Sequence, residues 1–302
     1  MPDIGVVHLV RRKNGIAPFE RFLTSYLKHP AGQPHELVLL FKGFSGAGGL
    51  ADYERLLSAV SHRPIFVPDR GLDLNAYFTA AEQLDYAYFC FLNSYSRILA
   101  QDWLAKLYRW ITKEGVGLVG ATGSCQSIVG GYTEQQQRIQ ALPPVQRTYT
   151  RIRRALADRR SGMFLRRASL WLLRVAGIWQ PQKDFPPFPN YHLRTNAFMA
   201  ARQTLRRVHP GPMSTKLSAY RFESGNDSLT NQVRRLGLRV VVVGRDGECY
   251  EPERWHLSNT FWQSAQENLL VSDNQTEFYD SSDPSVRAEL AQYAWGGFAR
   301  SA

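Results

Sequence analysis

Residues with usable chemistry fall in six places along this chain. Arg221-Phe222-Glu223-Ser224-Gly225-Asn226-Asp227-Ser228 sets two carboxylates, Glu223 and Asp227, ahead of a helix predicted over Leu229 to Leu236. A carboxylate held against a hydroxyl can act as a general base, because the transition state acidifies that proton. The alternative is that Asp227 or Ser228 caps the helix, and capping suits Asp227 better than Glu223. His192, Arg194 and Asn196 alternate along a strand predicted over Leu193 to Ala200. Three polar residues on one buried face either serve a site or pair with each other. Asn93 and Ser94 close the apolar run Tyr86 to Leu92, where they either face a ligand or simply end a strand. Arg11, Lys42, Asp69 and Asp73 stand in three further loops at the ends of apolar runs. For Asp69 and Asp73 an N-cap role competes with ligand contact.

The elements between these residues alternate. Strands are predicted at Ile4 to Val10, Glu36 to Phe41, Pro64 to Val67, Tyr86 to Leu92, Val116 to Ala121 and Leu238 to Val243. Helices are predicted at Ala17 to Leu27, Leu50 to Val60, Leu74 to Gln83, Asp102 to Ile111 and Val286 to Tyr293. Strands alternating with helices of about ten to fifteen residues imply βαβ units and a mostly parallel sheet. In such a sheet the loops after the strands gather on one edge, where ligands bind. The loop Lys42-Gly43-Phe44-Ser45-Gly46-Ala47-Gly48-Gly49 could cradle a phosphate, but it fits neither G-x-x-x-x-G-K-[ST] nor G-x-G-x-x-G, and a flexible turn is the favoured reading.

The chain has 302 residues and a formal charge of +11, which favours a polyanionic partner. Its three cysteines form no C-x-x-C pair and imply a reducing compartment. No uncharged apolar run approaches the roughly 20 residues of a membrane span, so a cytoplasmic protein is expected. Between Arg138 and Arg174 lie ten arginines and one acid, Asp158, interleaved with Phe164, Leu165, Trp171, Leu172 and Trp179. This reads as two basic amphipathic helices, which either bind anionic lipid through residues 147–174 or pack on the parent domain with arginines in water. No nucleic-acid motif is present, and no nucleic-acid partner is expected.

The order of elements resembles the nucleotide-binding half of a GT-A fold glycosyltransferase of the family 2 type. The loop Val10 to Pro18 after the first strand, Gly71-Leu72-Asp73-Leu74-Asn75-Ala76-Tyr77 ahead of the fourth, and Asp102-Trp103-Leu104 opening the next helix carry the resemblance. It spans roughly residues 4–122 and weakens towards 250. It implies a GT-A-like, mostly parallel twisted sheet flanked by helices, with a basic helical insertion. It divides the chain into a nucleotide-sugar-binding half (1–125), the insertion (126–189), an acceptor-side half (190–265) and a C-terminal tail (266–302). It further implies transfer of a sugar from a UDP, GDP or dTDP donor to a glycan or lipid-linked acceptor in cell-surface polysaccharide synthesis. The inner membrane face is the expected place.

By the same resemblance Arg11, Lys42, Asp69, Asp73, Asn93 and Ser94 would bind the nucleotide-sugar, and His192, Arg194 and Asn196 the acceptor. Glu223, or failing it Asp227, would be the base of an inverting displacement. The departure is at Asn93-Ser94-Tyr95, where the family carries D-x-D. Hard divalent cations prefer carboxylates, so weak metal dependence is expected, with Asn93 and His256 at the family's metal positions. A catalytically inactive glycan-binding or scaffold domain is the alternative reading.

Overall fold

The computed structural model describes residues 2–69, 73–129, 181–211, 213 and 215–298. Two units result, one formed by residues 1–125 with 191–302 and the other by 126–190. In the second unit, Ser127 Oγ donates to the Pro186 carbonyl at 2.6 Å. The arginine-rich stretch 147–174 lies outside the described residues.

The first unit is an α/β domain built on an eight-stranded sheet. Its strands are β1 (Ile4–Arg11), β2 (Glu36–Lys42), β3 (Arg63–Val67), β4 (Tyr88–Leu92), β6 (Val116–Gly120), β9 (Ala197–Ala201), β10 (Arg239–Val243) and β11 (Cys249–Tyr250). Four two-residue strands pair outside it: β5 (Arg97–Ile98) with β12 (Val271–Ser272), and β7 (Gly123–Ser124) with β8 (His192–Leu193). The sheet order is β11-β10-β6-β9-β4-β1-β2-β3. β1 runs parallel to β2 and β4, β2 to β3, and β6 to β10. β9 is antiparallel to both β4 and β6. This is the mostly parallel, helix-flanked architecture that the GT-A resemblance implies.

Central strands covered on both faces should be mostly apolar, and β1 and β2 are, with His8 in β1 the exception in their interior. Val6, Val7, Leu9, Leu37, Val38, Leu39, Leu40 and Phe41 are all buried. Against the sheet lie α1 (Ala17–Lys28), α2 (Asp73–Gln83) and α3 (Trp103–Ile111). The spacing that predicts one apolar face on α3 holds, since Trp103, Leu104, Leu107 and Ile111 are all buried. Each such side chain contributes about 1.5–3 kcal/mol. Downstream come α4 (Lys216–Ser224), α5 (Leu229–Arg235), α6 (Asn274–Asp280) and α7 (Pro284–Trp295).

Two expectations need correction. The helix predicted over Leu50 to Val60 is instead a 3₁₀ segment, Ala47–Tyr53, followed by a single α-turn, Glu54–Leu57. The glycines at its start supply no side chain to pack. The strand predicted over Leu193 to Ala200 is broken, with a turn at Thr195–Asn196 between β8 and β9. Asn93 N donates to the Asn196 carbonyl at 2.9 Å, which continues the β4–β9 pairing one residue past Leu92 and Ala197, while the turn residue Thr195 is held by a bond from its N–H to the Glu223 carboxylate at 3.0 Å.

Candidate active site

The parallel strands β1, β2 and β4 end on one edge, at Arg11, Lys42 and Leu92. Because β9 runs the other way, its start lies on that edge too, with Ala197 opposite Leu92. Asn93 and Asn196 are therefore neighbours. A cavity of about 160 Å³ opens here, lined by Asp73, Leu74, Tyr77, Asn93, Arg194, Thr195, Asn196, Glu223, Asp273, Asn274 and Gln275. α2 contributes Asp73, Leu74 and Tyr77, which share one helix face. Tyr77 donates to the Leu92 carbonyl at 3.1 Å and ties α2 to the end of β4. Burial holds the Tyr77 phenol well above its ordinary pKa, reinforced by Asp73, so it stays a neutral donor.

Glu223 belongs to the last turn of α4, not to a loop. Its Oε1 accepts from Thr195 N at 3.0 Å and from Thr195 Oγ1 at 3.2 Å. That contact fixes the carboxylate against the turn carrying Arg194 and Asn196. Arg194 is itself buried, and its Nη2 donates to Asp273 Oδ2 at 2.8 Å. Its guanidinium lies over the Phe261 ring, 4.1 Å from the centroid, a cation–π contact. Asp273 Oδ1 accepts from Gln275 N and Thr276 N as the N-cap of α6. Asn196 Oδ1 accepts from Thr122 Oγ1 at 2.6 Å.

Other predicted site residues lie apart from this cavity's lining. Asp227 is 73% exposed, and its carboxylate pairs with Arg235. Ser228, not Asp227, caps α5, accepting from Asn231 N at 3.3 Å. His192 is buried in β8 and does not line the cavity. It therefore shares no single strand face with Arg194 and Asn196. Arg11 pairs with Asp69, Nη2 to Oδ1 at 2.9 Å. With Asn14, Gly15 and Ser94, Arg11 borders a shallow cleft at the end of β1. The Ser94 hydroxyl is buried there with no partner among the described residues. Lys42 is only 1% exposed, and its Nζ is 3.3 Å from Asp73 Oδ1.

A divalent metal, which the resemblance implies, does not fit this donor set. Asn93 Oδ1 already accepts from Tyr95 N at 3.0 Å and Ser96 Oγ at 3.1 Å. One oxygen of Asp73 faces Lys42, and both oxygens of Asp273 are engaged. The His256 ring stacks on Phe298, at 4.9 Å between centroids, away from the cavity lining. No three or more His, Cys, Asp or Glu side chains gather to hold a metal among the described residues. Hard cations want several free oxygens at once.

Asp273, Thr122 and Thr195 are the site residues that sequence reasoning passes over. Asp273 had a visible signal, an Asp three residues ahead of Thr276, which is the spacing of a capping pair. Thr122 and Thr195 had none.

No protein-family model matches the chain, and no curated protein is significantly similar to it. Among solved structures, the mannosyltransferase PcManGT from Pyrobaculum calidifontis, in complex with GDP-Man and Mn2+, aligns with 86% of this chain at 15% identity and a TM-score of 0.46. The alignment spans 60% of that enzyme's chain, so this chain matches about three fifths of its length. TarS of S. aureus aligns with 39% of this chain and 34% of its own, at 14% identity and a TM-score of 0.31. GalNAc-T7, solved with UDP, GalNAc and Mn2+, aligns with 40% of this chain and 23% of its own, at 21% identity and a TM-score of 0.32.

Proposed function

We propose that this protein is a nucleotide-sugar-dependent glycosyltransferase of GT-A type that works by inverting displacement, with Glu223 as general base. The observation that carries the reading is Glu223 itself. Its carboxylate lines a cavity at the carboxyl edge of a mostly parallel sheet, held by Thr195 beside the polar turn Arg194–Asn196. Open α/β sheets bind ligands at that edge. Glu223 takes the proton of the acceptor hydroxyl as that oxygen attacks the anomeric carbon, and the nucleoside diphosphate leaves from the opposite face. The leaving charge is met by side chains near the ends of β1 and β2, of which Arg11 is the more accessible cation, with no step routed through a metal.

The acceptor in this reading is a glycan or lipid-linked sugar of a cell-surface polysaccharide, met at the inner membrane face. Residues 147–174 would hold the enzyme on anionic lipid there. No described helix is long and apolar enough to cross a membrane. The engaged carboxylates around the cavity favour a second reading, an inactive glycan-binding domain. A thermal-shift screen with UDP-, GDP- and dTDP-sugars, with and without Mn²⁺ or EDTA, tests the donor. A ligand at a hundred times its dissociation constant adds about 2.7 kcal/mol of stability. Stabilisation by one donor class that survives EDTA is expected, followed by product formation with that donor. A donor that binds without turnover leaves the second reading, and stabilisation that needs the metal counts against a cationic site.

A further inference from the structure

Asn196 carries a buried donor that the fold leaves unused. The residue is 4% exposed, and its Nδ2 has no partner among the described residues. Which end of the amide is left over follows from the groups behind it. Asp273 Oδ2 accepts from Arg194 Nη2, and Arg194 Nη1 lies 3.5 Å from Thr122 Oγ1. A guanidinium has donors only, so the Thr122 oxygen accepts there and its single proton points elsewhere. That proton goes to Asn196, 2.6 Å away, and only Oδ1 can receive it. The chain Asp273–Arg194–Thr122 thus fixes the amide with Oδ1 inward and Nδ2 free. The adjoining residue, Thr195, supplies both donors to Glu223 Oε1 and leaves Oε2 unpartnered among the described residues. Asn196 and Glu223 line the same cavity. A donor and an acceptor left without partners on two residues of one small cavity match a group that accepts and donates at once, which is a hydroxyl.

We propose that Asn196 Nδ2 and Glu223 Oε2 together bind one hydroxyl of a monosaccharide unit, and that Thr122 is the positioning residue that sets the Asn196 amide for it. The class of ligand rests on the glycosyltransferase reading above; the donor–acceptor pair rests on the hydrogen bonds alone. Thr122→Val keeps the shape, removes the proton that orders the amide, and lets it turn over. Thr122→Ser keeps that proton.

The test is saturation-transfer NMR on the full chain with free glucose, mannose, galactose and N-acetylglucosamine as probes. At least one hexose is expected to bind the unsubstituted protein. Thr122→Val weakens that binding at least tenfold, and Thr122→Ser recovers it to within about threefold, since a hydrogen bond to a charged or buried partner is worth roughly that factor or more. If Thr122→Val does not fold, Asn196→Ser replaces it, with the same tenfold loss expected. Absence of hexose binding, or equal binding by the valine and serine variants, overturns the proposal; only water then fills the cavity. Running the nucleotide-sugar melts in parallel separates the two ideas. Donor stabilisation without hexose binding removes this inference and leaves the donor reading standing. Hexose binding that follows Thr122, without any donor stabilisation, does the reverse.

Discussion

Glu223 and Asp227 stand in one short segment yet meet opposite surroundings, and that difference predicts opposite phenotypes. Glu223 lines the cavity with one oxygen held by Thr195. Glu223→Gln keeps size and the Thr195 contacts but removes the base, and losing a general base typically costs about 10² to 10⁴ in rate. Turnover is expected to fall at least about 100-fold by that principle, with donor affinity changed less than about threefold. Asp227 is exposed and pairs with Arg235 at the surface. Asp227→Asn should leave turnover unchanged and stability within about 0.5 kcal/mol. Steady-state kinetics decides between them, and exchanged phenotypes would make Asp227 the base. The buried pair Arg194–Asp273 obeys a different rule. Breaking a buried pair strands a charge, at about 3–5 kcal/mol. Asp273→Asn retains an oxygen for the α6 cap and isolates that cost, so its urea midpoint should fall far below that of Asp227→Asn. Similar midpoints would mean that Arg194 finds water or another partner. Glu223 was legible as a carboxylate ahead of a turn, but α4 was not. Its capping box uses Thr215 and Ser218 rather than a terminal Glu or Gln, and its run of residues is too mixed to show a face.

At the scale of elements, the alternating strands and helices were readable because β1, β2, β4 and α1 to α3 carry long apolar runs or one clean apolar face. The break between β8 and β9 was not, since the turn residues are held by partners far away in the sequence, Thr195 by Glu223 and Asn196 by Thr122. Local pattern carries no record of such a partner. The same junction is braced by close packing. A Cβ on Gly120, the last residue of β6, would lie 2.5 Å from Leu193 Cγ, and one on Gly123 in β7 would lie 2.5 Å from the Trp255 ring. Leu193 immediately precedes Arg194. Gly120→Ala should cost about 1–3 kcal/mol as an overpacked site and should disturb the turn at Thr195–Asn196. Gly48→Ala, where an added Cβ meets nothing within 4 Å, is the control and should be near neutral. Denaturant midpoints of the two variants check the difference. A Gly120→Ala protein as stable as Gly48→Ala would show that Leu193 can move aside freely.

Across the whole molecule, acid stability turns on a histidine that takes no part in the site. His8 sits in β1 at the centre of the sheet, fully buried, with its ring stacked on Phe22 at 3.5 Å between centroids. Neither ring nitrogen has a partner among the described residues. Burial disfavours the imidazolium and lowers the His8 pKa from its usual 6.5 to about 3. The unfolded chain therefore binds a proton at His8 below about pH 6.5 that the folded chain refuses. Stability is whole above that pH and falls as the pH drops from 6.5 towards 3, where the folded form begins to take the proton as well. Carboxylates add their own acid dependence, so the measurement is a difference between variants. His8→Phe and His8→Leu remove both the titration and two unsatisfied nitrogens. Each should match or exceed the parent's urea midpoint at pH 7.5, and the gap should widen steadily through pH 6, 5 and 4. Two substitutions are needed because a phenyl ring can overpack where an isobutyl group does not. A gap that stays constant from pH 7.5 to 4 in both variants would mean that His8 is protonated in the fold, or reached by water.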